Sequence, residues 1–409
     1  MNDLPIGAEF ASTVTVSGTT CPSCSATDTR VFYEVDNIPV HQVRLVRTRE
    51  DALNCNKGDM RMALCHDCGF IWNAAFKPEL VTYEDDYEST QAVSPAFNVF
   101  HQNLAENLMK RYDLAGKEVF EIGCGQGEFL AMLCDLGAAS ATGFDPVIRE
   151  LEAEHPKVKL LKEWYDEKYA DLRPDFVCSK MVMEHIPDPG RYCAMLRATI
   201  GDRPEVISFA MMPEVTRIMK LRAFWDIYYE HCAYFSLGSL GRAFRHAGFD
   251  VVDLWTDFGD QYALVGARPT TGESQPLPVE EKPEELAAMV DKFVEQVQAD
   301  REQWRGWIDR RLNDGKKVAL WGGGSKAVSF LTTLGITDGI ELAIDINPMR
   351  NGTFIAGTGQ KIATPDALED YQPDIVVVMS PFYRDEIKAD LDSRGLSPEL
   401  VMVETPPEG

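Results

Sequence analysis

The stretch KEVFEIGCGQGEFL, residues 117–130, decides the fold of the middle of this chain. A short apolar run that ends in an acid, a glycine-rich turn and an amphipathic segment predict a strand, a turn and a helix. A second predicted strand, ATGFD, ends in Asp145, 24 positions beyond Glu121. Because an acid at the end of the second strand suits the ribose hydroxyls of an adenosine cofactor, the segment predicts an adenosine-binding α/β domain.

The glycines of the turn follow the pattern G-x-G-x-G. A dinucleotide such as NAD favours G-x-G-x-x-G, in which the glycines cradle a pyrophosphate. A G-x-G-x-G turn after Glu121 suits a ligand that has no phosphate and carries a positive charge, and S-adenosylmethionine has both properties. An ordinary strand–helix turn without a ligand is the alternative. The candidate cofactor-binding residues are Glu121, Gly123, Cys124, Gly125, Gly127, Phe144, Asp145 and Met181.

Further strands are predicted in PDFVCSKMVMEHIPDP, VISFAMMP, VVDLW and DQYALVGARP. Strands that alternate with helical segments predict a parallel sheet with helices on both faces. Ligands bind beyond the carboxyl ends of such strands, which places His185, after the fourth strand, near the donor sulfonium. A surface or helix-capping role is the alternative for His185.

Four cysteines near the N-terminus form two C-x2-C pairs separated by 40 residues, Cys21 with Cys24 and Cys65 with Cys68. Zinc takes four soft ligands in a tetrahedron, and each C-x2-C turn supplies two. We therefore expect a structural zinc ion in a ribbon with a long insertion, whose runs VFYEV and HQVRLVRT are expected strands. Free cysteines in turns, or a redox dithiol, are the alternatives.

The C-terminal part repeats the pattern of strand, glycine turn and helix. Residues 271–300 begin rich in Pro and Glu and become amphipathic, which predicts a linker that runs into a helix. KKVALWGGGSKAVSFLTTLG follows, and the next predicted strand ends in Asp345. The glycine turn, with Ser325 and Lys326 beside it, suits a phosphate at a helix N-terminus, or it only lets the helix pack tightly on its strand.

The acidic composition narrows the possible partners. A net charge of −25 over 409 residues argues against a nucleic acid or an anionic membrane as the main partner. No apolar run of about 18 residues appears, and MNDLPIGAEF lacks the features of a secretory signal. We expect a cytoplasmic protein with a small-molecule substrate, in which the ten cysteines are reduced thiols or metal ligands.

The stretch YYEHCAYFS, residues 228–236, is compatible by itself with a core strand or with an acid–base site. Together with EHIPDP, WGGGSKAVSFL and the four-cysteine motif, it resembles the three-domain C-methyltransferases related to the nucleotide-sugar 3-C-methyltransferases of deoxysugar biosynthesis. The resemblance covers nearly the full length. Members of known role methylate carbon 3 of a dTDP-4-keto-6-deoxyhexose that lies between the methyltransferase and C-terminal domains.

The resemblance implies an α/β fold, a division of the chain into domains, and the positions of the site residues. The expected divisions are a zinc-ribbon-like domain at 1–80, a class I, Rossmann-like S-adenosylmethionine methyltransferase domain at 81–270, a linker and helix at 271–300, and a small Rossmann-like α/β domain at 301–409 that contributes to substrate binding. The family's Tyr-x-Glu-His motif falls on Tyr228, Glu230 and His231, its histidine after the fourth strand on His185, and its tyrosine after the zinc domain on Tyr87 or, as an alternative, Tyr83. The loop YEDDYESTQAVSP lacks the family's Tyr-Ser-Ser run, and MVMEH replaces small polar residues, which affects the substrate more than the reaction type.

Methylation of a carbon next to a ketone requires removal of an α-proton and stabilisation of the enolate. We expect His231 to be the base, since the ordinary pKa of histidine, about 6.5, lies near working pH. Glu230 is expected to orient His231 or balance its charge, and Tyr228 and His185 to donate hydrogen bonds to the enolate oxygen.

Three alternatives concern the substrate and the reaction. Arg217, Lys220 and Arg222 form a basic run that would engage a diphosphate or, alternatively, form a solvated helix face. Within enzymes, an O- or N-methyltransferase of a small natural product is the alternative. Outside enzymes, it is a scaffold protein that binds S-adenosylmethionine without catalysis.

Overall fold

The computed structural model describes residues 20–84, 86–88, 90, 92–149 and 155–407. The stretch MNDLPIGAEF and the rest of 1–19, which belong to the expected zinc-binding domain, lie outside the described residues. Within the described chain the strands form three sheets: an N-terminal, a central and a C-terminal sheet. None of the described helices is long and apolar enough to cross a membrane.

The N-terminal sheet is antiparallel and has four strands. Their spatial order is β1 (Thr29–Pro39), β2 (Lys57–Cys65), β3 (Ile71–Asn73) and β9 (Ala233–Tyr234). The last strand belongs to the stretch YYEHCAYFS, and in it Tyr234 pairs with Ile71 and Ala233 with Trp72. Residues 228–236 are therefore held by a sheet whose other strands lie more than 150 residues earlier in the chain.

Residues 41–48, HQVRLVRT, do not form the strand that the sequence predicts. Their backbone partners lie in the loop that follows the N-terminal sheet: Leu45 N–H donates to the carbonyl of Asp86 at 2.9 Å, and Arg44 forms an isolated β bridge with Tyr87. The expected strand is therefore wrong here, because the backbone groups of Leu45 and Arg44 pair with a loop and not with a sheet strand.

The central sheet has seven strands. Their spatial order is β10 (Phe249–Asp257), β11 (Tyr262–Pro269), β8 (Ile207–Pro213), β7 (Phe176–Lys180), β4 (Glu118–Ile122), β5 (Ser140–Phe144) and β6 (Val158–Leu161). Strand β11 is antiparallel to both of its neighbours, and the other pairs are parallel. The prediction of a parallel sheet was wrong at β11, because the short connection 258–261 can join only antiparallel strands.

The C-terminal sheet has five parallel strands. Their order is β14 (Lys361–Ala363), β13 (Leu342–Ile344), β12 (Val318–Trp321), β15 (Ile375–Val378) and β16 (Glu399–Met402). Strands β12 and β15 are buried along their whole length, as expected when helices cover both faces of a parallel sheet.

Helices connect and cover these sheets. The α-helices are α1 (Arg49–Leu53), α2 (Pro95–Arg111), α3 (Glu128–Asp135), α4 (Pro189–Ile200), α5 (Val215–Leu221), α6 (Leu237–His246), α7 (Pro283–Asn313), α8 (Ser325–Leu334), α9 (Ala367–Tyr371) and α10 (Arg384–Ser393). Short 3-10 helices lie at Pro78–Leu80, Glu167–Leu172, Met183–His185, Phe224–Asp226, Pro348–Arg350 and Pro381–Tyr383.

The long helix α7 joins the N-terminal and C-terminal sheets. In its first half, the Phe293 ring packs edge-on against Tyr33 of β1, with ring centroids 5.3 Å apart. About three turns later, Trp304 packs edge-on against Phe330 of α8 at 5.2 Å. Burial of these large rings contributes hydrophobic stabilisation at both contacts, so α7 links the two outer sheets.

Candidate active site

A cavity of about 700 Å³ lies where the glycine turns of the central and C-terminal sheets face one another. The loop that follows the N-terminal sheet supplies a third side of its wall. All five residues expected to be catalytic contribute to that wall: Tyr87, His185, Tyr228, Glu230 and His231. The carboxyl ends of β4, β5 and β7 also reach it, as expected for a ligand site of an α/β sheet.

The turn after β4 has the backbone geometry that only glycine adopts readily. Gly123 has a φ of +71°, and a Cβ atom there would lie 2.3 Å from Cγ2 of Val182. Asp145, at the end of β5, holds the turn, since its Oδ2 accepts from Gly125 N–H and its Oδ1 from Val147 N–H, both at 2.9 Å. Burial raises the pKa of Asp145 to about 6. Its remaining lone pairs suit the ribose hydroxyls of an adenosine ligand.

The eight candidate cofactor residues fall into two groups. Five of them form part of the cavity wall: Gly123, Gly125, Phe144, Asp145 and Met181. The other three, Glu121, Cys124 and Gly127, lie behind it. Cys124 fills the space that a Cβ on Gly143 would occupy, 2.5 Å from its Sγ, and Gly127 begins α3 with a φ of +90°. These three shape the turn from behind.

Glu121 is fully buried and forms an ion pair with Lys180, at the end of β7. Burial raises the pKa of Glu121, and the charge of Lys180 opposes that rise. The Lys180 side chain also lines the cavity and lies over the ring of Phe129, 3.9 Å from its centroid. Sequence reasoning missed Lys180, because nothing in CSKMVMEH indicates which acid a buried lysine would meet.

His231 lies among other rings in the cavity wall. Its ring centroid is 4.2 Å from that of Tyr228 and 5.0 Å from that of His185. Burial lowers the pKa of His231 well below 6.5, and the neighbouring His185 lowers it further. The ring is therefore neutral at physiological pH, and a neutral imidazole has the lone pair that a base requires.

His185 has a defined tautomer. Its Nδ1 lies 3.0 Å from the backbone carbonyl oxygen of Glu230, and because a carbonyl oxygen can only accept, Nδ1 carries the proton. Burial lowers the pKa of His185, so its Nε2 is an acceptor in the neutral ring. The expected donation from His185 to an enolate oxygen is therefore disfavoured.

The Glu230 side chain points to the N-terminal part of the chain. One carboxylate oxygen accepts from Gln42 N–H at 2.9 Å and lies 3.5 Å from His41 Nδ1, and the other accepts from Tyr87 Oη at 3.4 Å. Among the described residues these contacts replace the expected contact with His231. We therefore assign Glu230 to the connection between segment 41–42 and the cavity, and not to the orientation of the base.

Glu184 was not among the predicted site residues. It precedes His185 in a 3-10 helix, is only 1% exposed and lines the cavity. One of its carboxyl oxygens and one ring nitrogen each of His185 and His231 all lie within 4.8 Å of one another. In the sequence, only the position of Glu184 beside His185 could have pointed to it, and its burial is evident only in the fold.

The four cysteines of the two C-x2-C pairs converge on one point. Cys21 Sγ lies 3.6 Å from Cys68 Sγ, Cys24 Sγ lies 3.7 Å from Cys65 Sγ, and all four sulfurs lie within 4.8 Å of one another. A tetrahedral ion with Zn–S bonds of about 2.3 Å would set its sulfurs about 3.8 Å apart. The spacing of the thiols thus fits a zinc ion.

The C-terminal glycine turn has the same construction as the first. Asp345, after β13, accepts from Gly323 N–H at 3.1 Å and from Asn347 N–H at 2.9 Å, as Asp145 does in the central sheet. Ser325 and Lys326, at the start of α8, line the cavity, and Lys326 Nζ bonds to a carboxylate oxygen of Asp226 at 2.9 Å.

The three residues of the basic run before residues 228–236 lie in different surroundings. Arg217 lines the cavity, is 9% exposed and pairs with Glu404. Arg222 instead pairs with Asp300 of α7. The exposed Lys220 lies in the last turn of α5. Of the three residues expected to engage a diphosphate, Arg217 is thus the one in the cavity wall.

Comparisons with known proteins agree with this arrangement. Residues 96–254 match the family model of a methyltransferase domain, and residues 266–395 match that of a C-methyltransferase C-terminal domain. The chain is 27% identical over 221 residues to the C-methyltransferase NovU of Streptomyces niveus, which covers 52% of this chain and 52% of NovU. It is 31% identical over 109 residues to the tRNA U34 carboxymethyltransferase of Campylobacter hominis, over 24% of this chain and 38% of the relative.

The matched regions are partial. The chain spans about half the length of NovU and less of the carboxymethyltransferase. Among solved structures it is similar to the magnesium protoporphyrin IX methyltransferase of Synechocystis PCC 6803, with 17% identity, a TM-score of 0.32, and coverage of 45% of this chain and 86% of that one. The two family models confirm the expected order of a Rossmann-like methyltransferase domain and a C-methyltransferase C-terminal domain.

Proposed function

We propose that this chain, which combines a methyltransferase domain with a C-methyltransferase C-terminal domain, is an S-adenosylmethionine-dependent C-methyltransferase that acts on a carbon next to a ketone. One observation carries the proposal. A buried, neutral His231 lies in the same cavity as the glycine turn of the methyltransferase domain, with Tyr228 beside it. The match of residues 266–395 to a C-methyltransferase C-terminal domain supports carbon, and not oxygen or nitrogen, as the methylated atom.

The chain's residues divide the work as follows. S-adenosylmethionine supplies the electrophilic methyl group when bound. Gly123, Gly125 and Asp145 hold the adenosine part beside β4 and β5. His231 takes the α-proton of the acceptor. Tyr228 keeps its proton, since burial raises its pKa well above 10, and donates to the enolate oxygen.

The acceptor that this cavity suits is a nucleotide-linked 4-keto-deoxysugar, methylated at carbon 3. The ketone makes the neighbouring carbon acidic enough for a histidine base. The second glycine turn, with Ser325 and Lys326 at a helix N-terminus, provides N–H groups and a cation for phosphate groups. The resemblance and the basic side chains of Arg217 and Lys326 in the wall support a nucleotide-linked acceptor.

Labelled donor and matched acceptors test the reaction class. We expect label transfer from S-adenosylmethionine to a 4-keto-deoxysugar nucleotide and none to the matched 4-hydroxy compound, which cannot form an enolate. Transfer to the 4-hydroxy compound would assign an O-methyltransferase. Binding of the donor without transfer to any acceptor would favour a scaffold protein.

Replacement of Arg217 tests whether this residue binds the diphosphate of the acceptor. R217A should raise the KM for the sugar nucleotide about 10- to 100-fold, because a hydrogen bond to a charged group is worth about 1.5–3 kcal/mol. R222A is the matched control, since Arg222 also loses an ion pair but lies outside the cavity wall. Equal KM values in the two variants, measured by steady-state kinetics, would contradict this role.

We also propose that Cys21, Cys24, Cys65 and Cys68 hold a structural zinc ion. The four sulfurs fill a tetrahedron, which leaves no coordination position for a substrate. One zinc per chain is the expected metal content of the protein, measured by mass spectrometry of the purified chain.

A further inference from the structure

We propose that Glu184 is a further catalytic residue, a neutral carboxylic acid that donates a hydrogen bond to the acceptor's carbonyl oxygen while His231 removes the neighbouring α-proton. The inference rests on the proposed C-methylation and extends it to a residue outside the motif Tyr228–His231. The neutral His185 presents an acceptor to the cavity, so a second donor beside Tyr228 has to come from another residue.

Geometry places Glu184 where this donor is needed. Its carboxyl oxygen lies within 4.8 Å of a ring nitrogen of His231. The α-carbon and the carbonyl oxygen of a ketone are separated by only two bonds, so a base and an acid at this spacing reach both ends of the same group. Enolisation is fastest when the base takes the proton and a fixed donor meets the negative charge that develops on oxygen.

The surroundings of Glu184 favour its neutral form. Both carboxyl oxygens are buried, and neither has a hydrogen-bond partner in another described residue. A buried carboxylate without a partner or a counter-charge is costly, so the group keeps its proton. Burial raises the pKa of Glu184 to about 8, and only its own backbone N–H opposes this. The proton is therefore available for a ligand that enters the cavity.

Charges and protons balance in this scheme. The α C–H bond breaks, its electron pair enters the enolate, and the proton moves to His231. Glu184 keeps its proton and shares it with the oxygen that becomes negative. When the enolate carbon takes the methyl group, the sulfonium loses its charge, the ketone re-forms, and His231 releases its proton to solvent.

The scheme sets the direction of the pH dependence. The titratable groups that face Glu184 are His185, His231, Tyr83, Tyr87, Tyr228 and Cys232. Burial lowers the pKa of both histidines below 6.5 and raises the pKa of the tyrosines and of the cysteine above their ordinary values. Glu184 is then the member of this group that titrates near pH 8. Since the acid form is active, turnover should fall as pH rises through about 8.

Two measurements test the proposal. The first needs no acceptor: infrared difference spectra between wild type and E184Q at pH 7 should show the carbonyl band of a protonated carboxyl group, lost in E184Q.

The second follows exchange of the α-proton of a 4-keto-deoxysugar nucleotide with deuterium, and then methyl transfer. In E184L both rates should fall about 100- to 1,000-fold, as when an oxyanion donor is removed, with an unchanged Kd for S-adenosylmethionine. E184Q keeps a neutral donor, so it should be faster than E184L and lack the fall in turnover near pH 8.

Three outcomes would overturn the assignment. Absence of the infrared band at pH 7 would show an ionised Glu184, whatever the acceptor is. Wild-type exchange rates in E184L would show that the residue has no part in enolisation. A second divalent ion per chain that is lost in both E184Q and H231Q would make Glu184 a metal ligand. Failure of the proposed function would look different, because wild type would then neither exchange the α-proton nor transfer the methyl group, while the infrared band would persist.

Discussion

At the scale of single residues, the chemistry of the cavity depends on which polar side chains are buried and on which hydrogen-bond partners they have. The residues that the sequence identifies, Tyr228, His185 and His231, do lie around one cavity. Their roles were harder to predict, because a role depends on contacts. Glu230 is adjacent to His231 in sequence, yet its carboxylate contacts Gln42 and Tyr87. Residue type and order thus predict which of these residues line the cavity, while tautomers and hydrogen-bond partners require the fold.

Replacement of His231 tests the base. H231Q should lower turnover about 100- to 10,000-fold, the usual contribution of a general base, and leave the Kd for S-adenosylmethionine unchanged. H246Q is the control, since His246 is exposed in the last turn of α6. Turnover of H231Q close to that of H246Q in steady-state kinetics would remove His231 from the mechanism.

At the scale of elements, the glycine turn after β4 was predictable because its physical requirement is local. The G-x-G-x-G pattern and the acid 24 positions after Glu121 can be read from short stretches of sequence, whereas the close approach of Val182 to Gly123 is evident only in the fold. The antiparallel β11 and the loop partner of segment 41–48 were not predicted, because each depends on which distant backbone offers free hydrogen-bonding groups.

Gly123 and Gly116 form a matched pair for a test of this turn. Both have positive φ, +71° and +75°, so alanine is strained at both. A Cβ at Gly123 would lie 2.3 Å from Val182, whereas nothing lies within 4 Å of one at Gly116. G123A should therefore weaken S-adenosylmethionine binding at least about tenfold, as expected for overpacking that costs about 1–3 kcal/mol. Calorimetry that gives G123A the affinity of G116A would contradict the close approach.

At the scale of the whole molecule, the three sheets are coupled through residues 228–236. Strand β9 completes the N-terminal sheet, and the residues just before it form the cavity wall between the two glycine turns. The order of the methyltransferase domain and the C-methyltransferase C-terminal domain was predictable from their motifs. The pairing of β9 with β3 was not, because two residues carry too little pattern to identify a strand.

Loss of the proposed zinc ion should therefore lower turnover, although the four cysteines lie outside the cavity wall. C21S should lose zinc, lower the thermal unfolding midpoint and reduce turnover, because β9 is held by the sheet that the ion stabilises. Donor binding at the turn after β4 should change little. C55S is the control, since Cys55 is partly buried and lies outside the four-cysteine cluster. Full activity in zinc-free C21S would show that the metal is not needed to hold residues 228–236 in place.

The position of the new methyl group tests the central claim most directly. A 4-keto-deoxysugar nucleotide that carries deuterium at carbon 3 is incubated with donor labelled with 13C in its methyl group, and the product is examined by 13C NMR. The account predicts a 13C methyl group bonded to carbon 3, with loss of one deuterium from that carbon for each methyl group gained. A 13C methyl group on oxygen or nitrogen, with the deuterium retained, would contradict it.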